Sequence, residues 1–238
     1  MEYQGILSKM ATALDQDNLA HYHMQLGQDA IMVNDLIGQK ITLTHTGNKY
    51  CIACQVPLKK TYQQGYCFLC TRRLAQCDIC IVRPELCHYH KGTCREPQWG
   101  EKHCMQEHRV YLANASGLKV GITKAPNIPS RWIDQGAIMA LEIIQTKTRY
   151  QCGLVEAGLK AYFNDKTNWR KMLQNQVEDL DLQAIYQEHR KEISAVVDSV
   201  NEKFNDQVVW MHADPSPQSI NYKVLDYPEK ITSLNFDK

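Results

Sequence analysis

Nine of the chain's ten cysteines fall between Cys51 and Cys104, and only Cys152 lies outside that window. This clustering constrains the fold more than any other feature. Cys51-Ile-Ala-Cys54 is followed, after twelve residues, by Cys67-Phe-Leu-Cys70, which makes two CxxC knuckles. Each knuckle sets two thiolates on one side of a tight turn. Two knuckles joined by a short hairpin complete a tetrahedral sulfur shell, which suits zinc. Pro57 and Gly65 are suitable turn residues for that hairpin. The opening MEYQGILSKMATALDQ has no basic segment leading into an apolar core. A cytoplasmic, reducing setting is therefore expected, in which dense thiols serve as metal ligands rather than disulfides. A thioredoxin-like redox pair would leave the second knuckle unexplained.

A third knuckle, Cys77-Asp-Ile-Cys80, follows at once, and beyond it stand Cys87, His88, His90, Cys94, His103, Cys104 and His108. One further site needs four ligands and two need eight. Cys77, Cys80, Cys87, His88, Cys94, Cys104 and His108 supply seven, with His90 or His103 as an eighth. The expectation is two or three structural zinc ions in all. Cys77 with Cys80 reads as the firm pair. Cys104 with His108 reads as its complement, because that spacing spans one turn of helix. Stretches such as GTCREPQWGEKHC hold too few aliphatic residues to make a core, so metal is expected to fold residues 51–108.

The remainder has ordinary globular composition, with 44% hydrophobic and 22% charged residues. It predicts an α+β fold in four parts. Residues 1–50 read as an antiparallel β module, with strands at 21–26, 31–33 and 41–45 broken at Gly27, Gly38 and Gly47. Residues 51–108 are the zinc-binding block. Residues 109–175 read as a three-stranded sheet with helices. Val110-Tyr-Leu112 and Leu118 to Ile122 form a hairpin, a helix begins near Pro129, a strand covers Ala140 to Gln145, and a helix runs from Arg149 to Asn164. Residues 176–238 complete a long helical run over 171–205, striped by Ile193, Val196, Val197, Val200 and Phe204, and end in strands from Ile220 to Phe236. Cys152 reads as buried packing.

No apolar run reaches the ~20 residues of a membrane span, so no membrane role is expected. The net charge is +1, but residues 51–131 carry 12 basic against 5 acidic side chains. A polyanion would sit on that part, and nucleic acid, DNA or RNA, is the expected partner.

Tyr111, Lys119, Gly121, Arg131 and Glu156 then belong together. A strand–strand–helix–strand–helix unit sets Tyr111 beside the Lys119-Val-Gly121 strand, with Arg131 on the first helix and Glu156 on the second. Phosphodiester hydrolysis needs a base for water, a cation for phosphorane charge and a carboxylate-held divalent metal, and Tyr111, Arg131 and Glu156 suit those tasks. Taken as residue types alone, they suit packing, ion pairing and solvation better.

Val110-Tyr-Leu, Lys119-Val-Gly-Ile-Thr123, Arg131 and Gly153-Leu-Val-Glu156-Ala-Gly-Leu-Lys160 resemble the GIY-YIG nuclease superfamily, nearest to the branch whose second motif reads Lys-Ile-Gly. The resemblance implies Tyr111 as general base, Arg131 as phosphate ligand and Glu156 as holder of one Mg2+ or Mn2+. Gly121 would be the close-packing glycine, and Lys119 replaces the second-motif tyrosine within the catalytic set. Asn168 is a loose match to a late asparagine. The chain also resembles a prokaryotic family known as a domain of unknown function. Gly65-Tyr-Cys67, Cys77-Asp-Ile-Cys80, Pro84-Glu-Leu-Cys-His88, Gly92-Thr-Cys-Arg-Glu-Pro97, Trp99-Gly-Glu101, Arg131-Trp-Ile-Asp-Gln-Gly-Ala137 and Thr167-Asn-Trp-Arg170 carry that likeness. It implies no settled activity. The alternative function is a non-catalytic zinc ribbon that binds nucleic acid or protein.

Overall fold

Alternating apolar residues near the N-terminus form a three-stranded antiparallel sheet of β1 (Ala11–Leu14), β2 (Ala20–Leu26) and β3 (Asp29–Met32), in that order. The computed structural model describes residues 1–164, 166–205, 208–210 and 213–233, apart from the Val209 side chain. Gly27, at φ +63°, turns β2 into β3. Buried Asn34 donates to the Ala20 carbonyl at 2.9 Å and accepts from the Tyr22 N–H at 2.8 Å, tying the following turn to β2. Residues 41–45, read as a strand from their alternation, form none. Ile41 and Leu43 stay exposed there, and an alternating run without a ladder partner has nothing to hold it extended.

The cysteine block has little regular structure: α1 (Phe68–Arg73), α2 (Pro97–His103) and short 3-10 turns between them. After it come β4 (His108–Asn114), β5 (Leu118–Lys124), α3 (Ser130–Asp134), β6 (Met139–Thr146) and α4 (Arg149–Leu159). Strand β4 is central and runs antiparallel to both β5 and β6. The helical run expected over 171–205 is divided into α5 (Trp169–Leu173), α6 (Leu182–Glu188) and α7 (Arg190–Phe204). The chain then adds β7 (Val208–Trp210) and β8 (Gln218–Ser219), both paired with β6. Among the described residues the sheet thus has five strands rather than three, and the expected boundary at residue 175 runs through it. Of the strands expected from Ile220 to Phe236, the described residues show one bridge at Asn221; residues 234–236 lie outside them.

Two cores flank this sheet. On one face Val110, Leu112, Val120, Leu141 and Ile143 meet Cys152, Val155 and Leu159 of α4, with Ile193, Val197 and Val200 of α7 behind. Both helices present apolar residues every third or fourth position, and each buried aliphatic side chain contributes about 1.5–3 kcal/mol. Cys152 is packing material here, fully buried. On the other face Tyr111 and Ala113 meet Trp132 and Ile133 of α3, together with Ala20 and Ile220. The Ala20 N–H donates to the Asn221 carbonyl, and the Asn221 N–H to that of Asn18, each at 2.8 Å. The two ends of the chain are therefore stitched over the sheet face that carries Tyr111.

Candidate metal centre and a buried polar cluster

The first two knuckles fold back on each other. The Cys51 N–H donates to the Val56 carbonyl at 3.0 Å, and the Ile52 N–H to the Gly65 carbonyl at 2.9 Å. Gly65, at φ +138°, is required there, since a Cβ on it would lie 2.9 Å from Ile52 Cγ2. The result brings the sulfurs of Cys51, Cys54, Cys67 and Cys70 within 4.8 Å of one another, with Cys54 and Cys67 Sγ 3.8 Å apart. Backbone N–H groups point at the sulfurs, Cys67 N to Cys51 Sγ at 3.2 Å and Cys70 N to Cys67 Sγ at 3.3 Å. Burial works to raise the Cys51 thiol, but the amides of Cys54, Cys67 and Ala53 prevail and pull it down to about 6. Cys70 is driven the other way, chiefly by its hydrogen bond to Cys67. Four sulfurs this close ionise together only around a cation, and the donor set and spacing fit zinc.

Around this cage the surface is basic and aromatic. Tyr62 and Phe68 are exposed and meet edge to face at 5.7 Å. Lys60 Nζ lies 5.6 Å from the Tyr62 ring centre, and the Arg72 guanidinium 5.9 Å from that of Phe68. Sequence reading found the charge here but missed the rings, which in sequence look like ordinary hairpin residues.

The remaining cysteines divide differently from the expected pairing. Cys80, Cys87, Cys94 and Cys104 line one cavity with Asp78, His88 and Arg95. Cys77 is not with Cys80. It ends one 3-10 turn and Cys80 sits in the next, with extended Asp78 between them (φ −73°, ψ 155°), and Cys77 does not line the cavity. The Cys77 thiol instead feels Cys51 and Cys67. Nor does Cys104 share a helix with His108, because α2 ends at His103 and His108 opens β4. His108 is wholly buried. Its Nδ1 lies 2.7 Å from the Gln106 carbonyl, and its Nε2 has no hydrogen-bond partner among the described residues.

Of the second constellation, Tyr111 and Arg131 come together through Gln135. Tyr111 faces Gly121 across the β4–β5 ladder, and its phenol lies over that glycine. A Cβ at Gly121 would stand 2.6 Å from the Tyr111 hydroxyl oxygen. Gln135, at the end of α3, reaches the same hydroxyl at 2.7 Å. With its amide oriented to satisfy both neighbours, Oε1 accepts from Arg131 Nη2 (3.1 Å) and Nε (3.3 Å), while Nε2 donates to Tyr111. Burial pushes the Tyr111 phenol up to about 12; Arg131 opposes that shift and Glu156 reinforces it. Tyr111 is nonetheless fully buried, in edge contact with Trp132, whereas Arg131 is exposed and Glu156 half-buried. Lys119 is almost as buried as Tyr111, its ammonium donating to Thr167 Oγ1 at 3.1 Å. Gln135 was not foreseen, since a glutamine four residues after an arginine carries no signal of its own. Asn168 caps α5, accepting from the Lys171 N–H at 3.2 Å.

Helix α4 joins the two regions. Thr148 and Gln151 close a capping box at its start. Arg149 then donates to the Ile81 carbonyl at 2.6 Å, and its backbone N–H to that of Cys104 at 2.8 Å. His90 stacks on Tyr150 at 5.1 Å. Gly153 admits Pro84 so closely that a Cβ there would lie 2.5 Å from the proline ring. The cysteine block is therefore seated on the helix that bears Glu156.

Among the described residues no helix is long and apolar enough to cross a membrane. A family model described as Protein of unknown function (DUF2797) matches residues 38–238. No curated protein and no solved structure matches the chain significantly.

Proposed function

The chain belongs to the DUF2797 family, and from that premise we propose that it is a zinc-stabilised nucleic-acid-binding protein. The observation that carries this reading is the exposed Tyr62–Phe68 pair flanked by Lys60 and Arg72 on the thiol cage. Flat rings offer stacking platforms to bases, and cations beside them take phosphates, a combination suited to single strands. Exposed Lys59, Arg73 and Lys91 extend the positive surface of the block.

Binding of fluorescein-labelled single-stranded DNA and RNA, followed by anisotropy across a salt series, tests it. Affinity should fall steeply with salt, and Lys60→Ala or Arg72→Ala should each reduce the log–log slope by about 1. Phe68→Ala should cost about 1–3 kcal/mol of binding. Binding indifferent to salt, or unchanged by all three substitutions, would refute the proposal.

A second reading, phosphodiester hydrolysis of the GIY-YIG type, is favoured by Tyr111 reaching Arg131 through Gln135 and by the electrostatic action of Glu156 on the same phenol. Arg131 would hold the phosphate, and Glu156 would hold Mg2+ or Mn2+, which supplies charge neutralisation at the phosphorus. The sealed phenol argues for binding first. A general base must reach its water, and Tyr111 is enclosed by Gln135, Trp132 and the N-terminal sheet. Cleavage of labelled DNA or RNA with Mg2+ or Mn2+, abolished by Glu156→Ala, would establish the second reading. Absence of cleavage, or cleavage untouched by that substitution, would dispose of it.

A further inference from the structure

We infer that Cys80, Cys87, Cys94 and Cys104 form a second zinc site, separate from the first cage, and that neither Cys77 nor His108 belongs to it. The four cysteines line one cavity of about 20 Å³, room for a single ion. They are separated in sequence by six, six and nine residues, so the site has no CxxC knuckle and escapes a reading by spacing. All four are free thiols. Cys80 and Cys87 share a hydrogen bond, and Cys104 acts electrostatically on Cys80 and feels both Cys87 and Cys94.

Asp78, Cys80 and His88 offer ligand atoms within 4.8 Å of one another, but the carboxylate and the imidazole have other partners as well. Asp78 forms an ion pair with Arg95 at 2.6 Å and lies 3.5 Å from His88 Nε2. His88 Nδ1 lies 2.8 Å from Thr93 Oγ1. A carboxylate held by guanidinium is a poor metal ligand, so Asp78 and His88 form an outer layer that holds Arg95 over the thiols. Four thiolates around Zn2+ carry two net negative charges. Arg95 lines the cavity, and Arg149 and Lys124 act electrostatically on Cys104, so compensating cations are already in place. The wall is tight as well. A Cβ on Gly100 would lie 3.4 Å from Cys94 Sγ and 3.1 Å from the Tyr89 ring. His108 opens β4 and does not line the cavity.

Zinc per purified full-length chain, counted by inductively coupled plasma mass spectrometry, decides the matter. The wild type should hold two equivalents. Cys54→Ser should leave one, Cys80→Ser and Cys104→Ser should each leave one, and Cys77→Ser and His108→Gln should keep two. If the serine variants do not fold, Cys87→His, which retains a ligand, should keep two metals. Its cobalt-loaded form should show the d–d band moved to shorter wavelength, as one sulfur becomes nitrogen. One zinc in the wild type, two in Cys80→Ser or Cys104→Ser, loss of one in His108→Gln, or an unmoved cobalt band in Cys87→His would each overturn the assignment.

Discussion

The cysteine block and the five-stranded sheet lie side by side and solve the same problem by opposite means. The sheet buries Val110, Leu112, Leu141, Ile143 and Ile144 completely, so its stability comes from apolar area. The block leaves Ile52, Phe68, Leu69, Ile79 and Val82 more than half exposed and buries Cys51, Cys77 and Cys104 instead. Its interior is sulfur. A region arranged this way gains little by hydrophobic collapse, and on the proposed zinc reading its folding free energy is metal-binding free energy. The surface consequence is equally different, because side chains released from core duty are free to face a partner.

The sharpest way to break this contrast is to remove zinc. A strong chelator should abolish amide protection across residues 51–104 while β4, β5 and β6 keep theirs, as read by hydrogen–deuterium exchange. The energy at stake is on the scale of structural zinc, about 10 kcal/mol or more at neutral pH. Equal loss in both regions would mean that the sheet has no stability of its own. The converse experiment is Leu141→Ala, at a fully buried position of the sheet. It should cost about 2–5 kcal/mol in denaturant unfolding, with zinc content unchanged.

Titration separates the regions further. His108 is buried at the start of β4 and its pKa is lowered to about 4, by burial first, with Arg149 and Lys124 adding to it. An unfolded chain has this group near 6.5. Below that pH the unfolded state takes up a proton that the folded state refuses, so His108 gives full stability above about 6.5 and loses it as pH falls toward 4. Between pH 6.5 and 5 the loss is about 2 kcal/mol. His108→Gln should show that much less acid sensitivity than the wild type in urea midpoints. Equal sensitivity would place the pH dependence elsewhere, above all in the thiolates.

How much of this was legible differs by region for the same physical reason. The first cage was readable because its four cysteines come as two local turns, and β4 and β5 because alternation is local. What escaped was non-local. Nothing near Tyr111 announces that Ala20 and Ile220 will cover it, since that contact joins segments two hundred residues apart. Cys77 and Cys80 have knuckle spacing, yet only Cys80 lines the second cavity, and the extended backbone of Asp78 between them is not written in a spacing rule. Gln135 was invisible because its role depends on where the end of α3 falls over β4.

The smallest expected effect lies at the junction. Thr148 accepts from the Gln151 N–H at 3.3 Å, and the Gln151 side chain accepts from the Thr148 N–H at 3.0 Å. The next residue, Arg149, makes the contacts that seat the cysteine block on α4. Thr148→Ala removes half of the capping box and should cost about 1 kcal/mol. If the two regions are stabilised independently, the first turn of α4 should exchange faster while zinc content and the protection of residues 51–104 stay as they were. Faster exchange spreading into the block would instead show that the metal-held region leans on the helix end, and that the contrast between sulfur interior and hydrocarbon interior stops at their shared border.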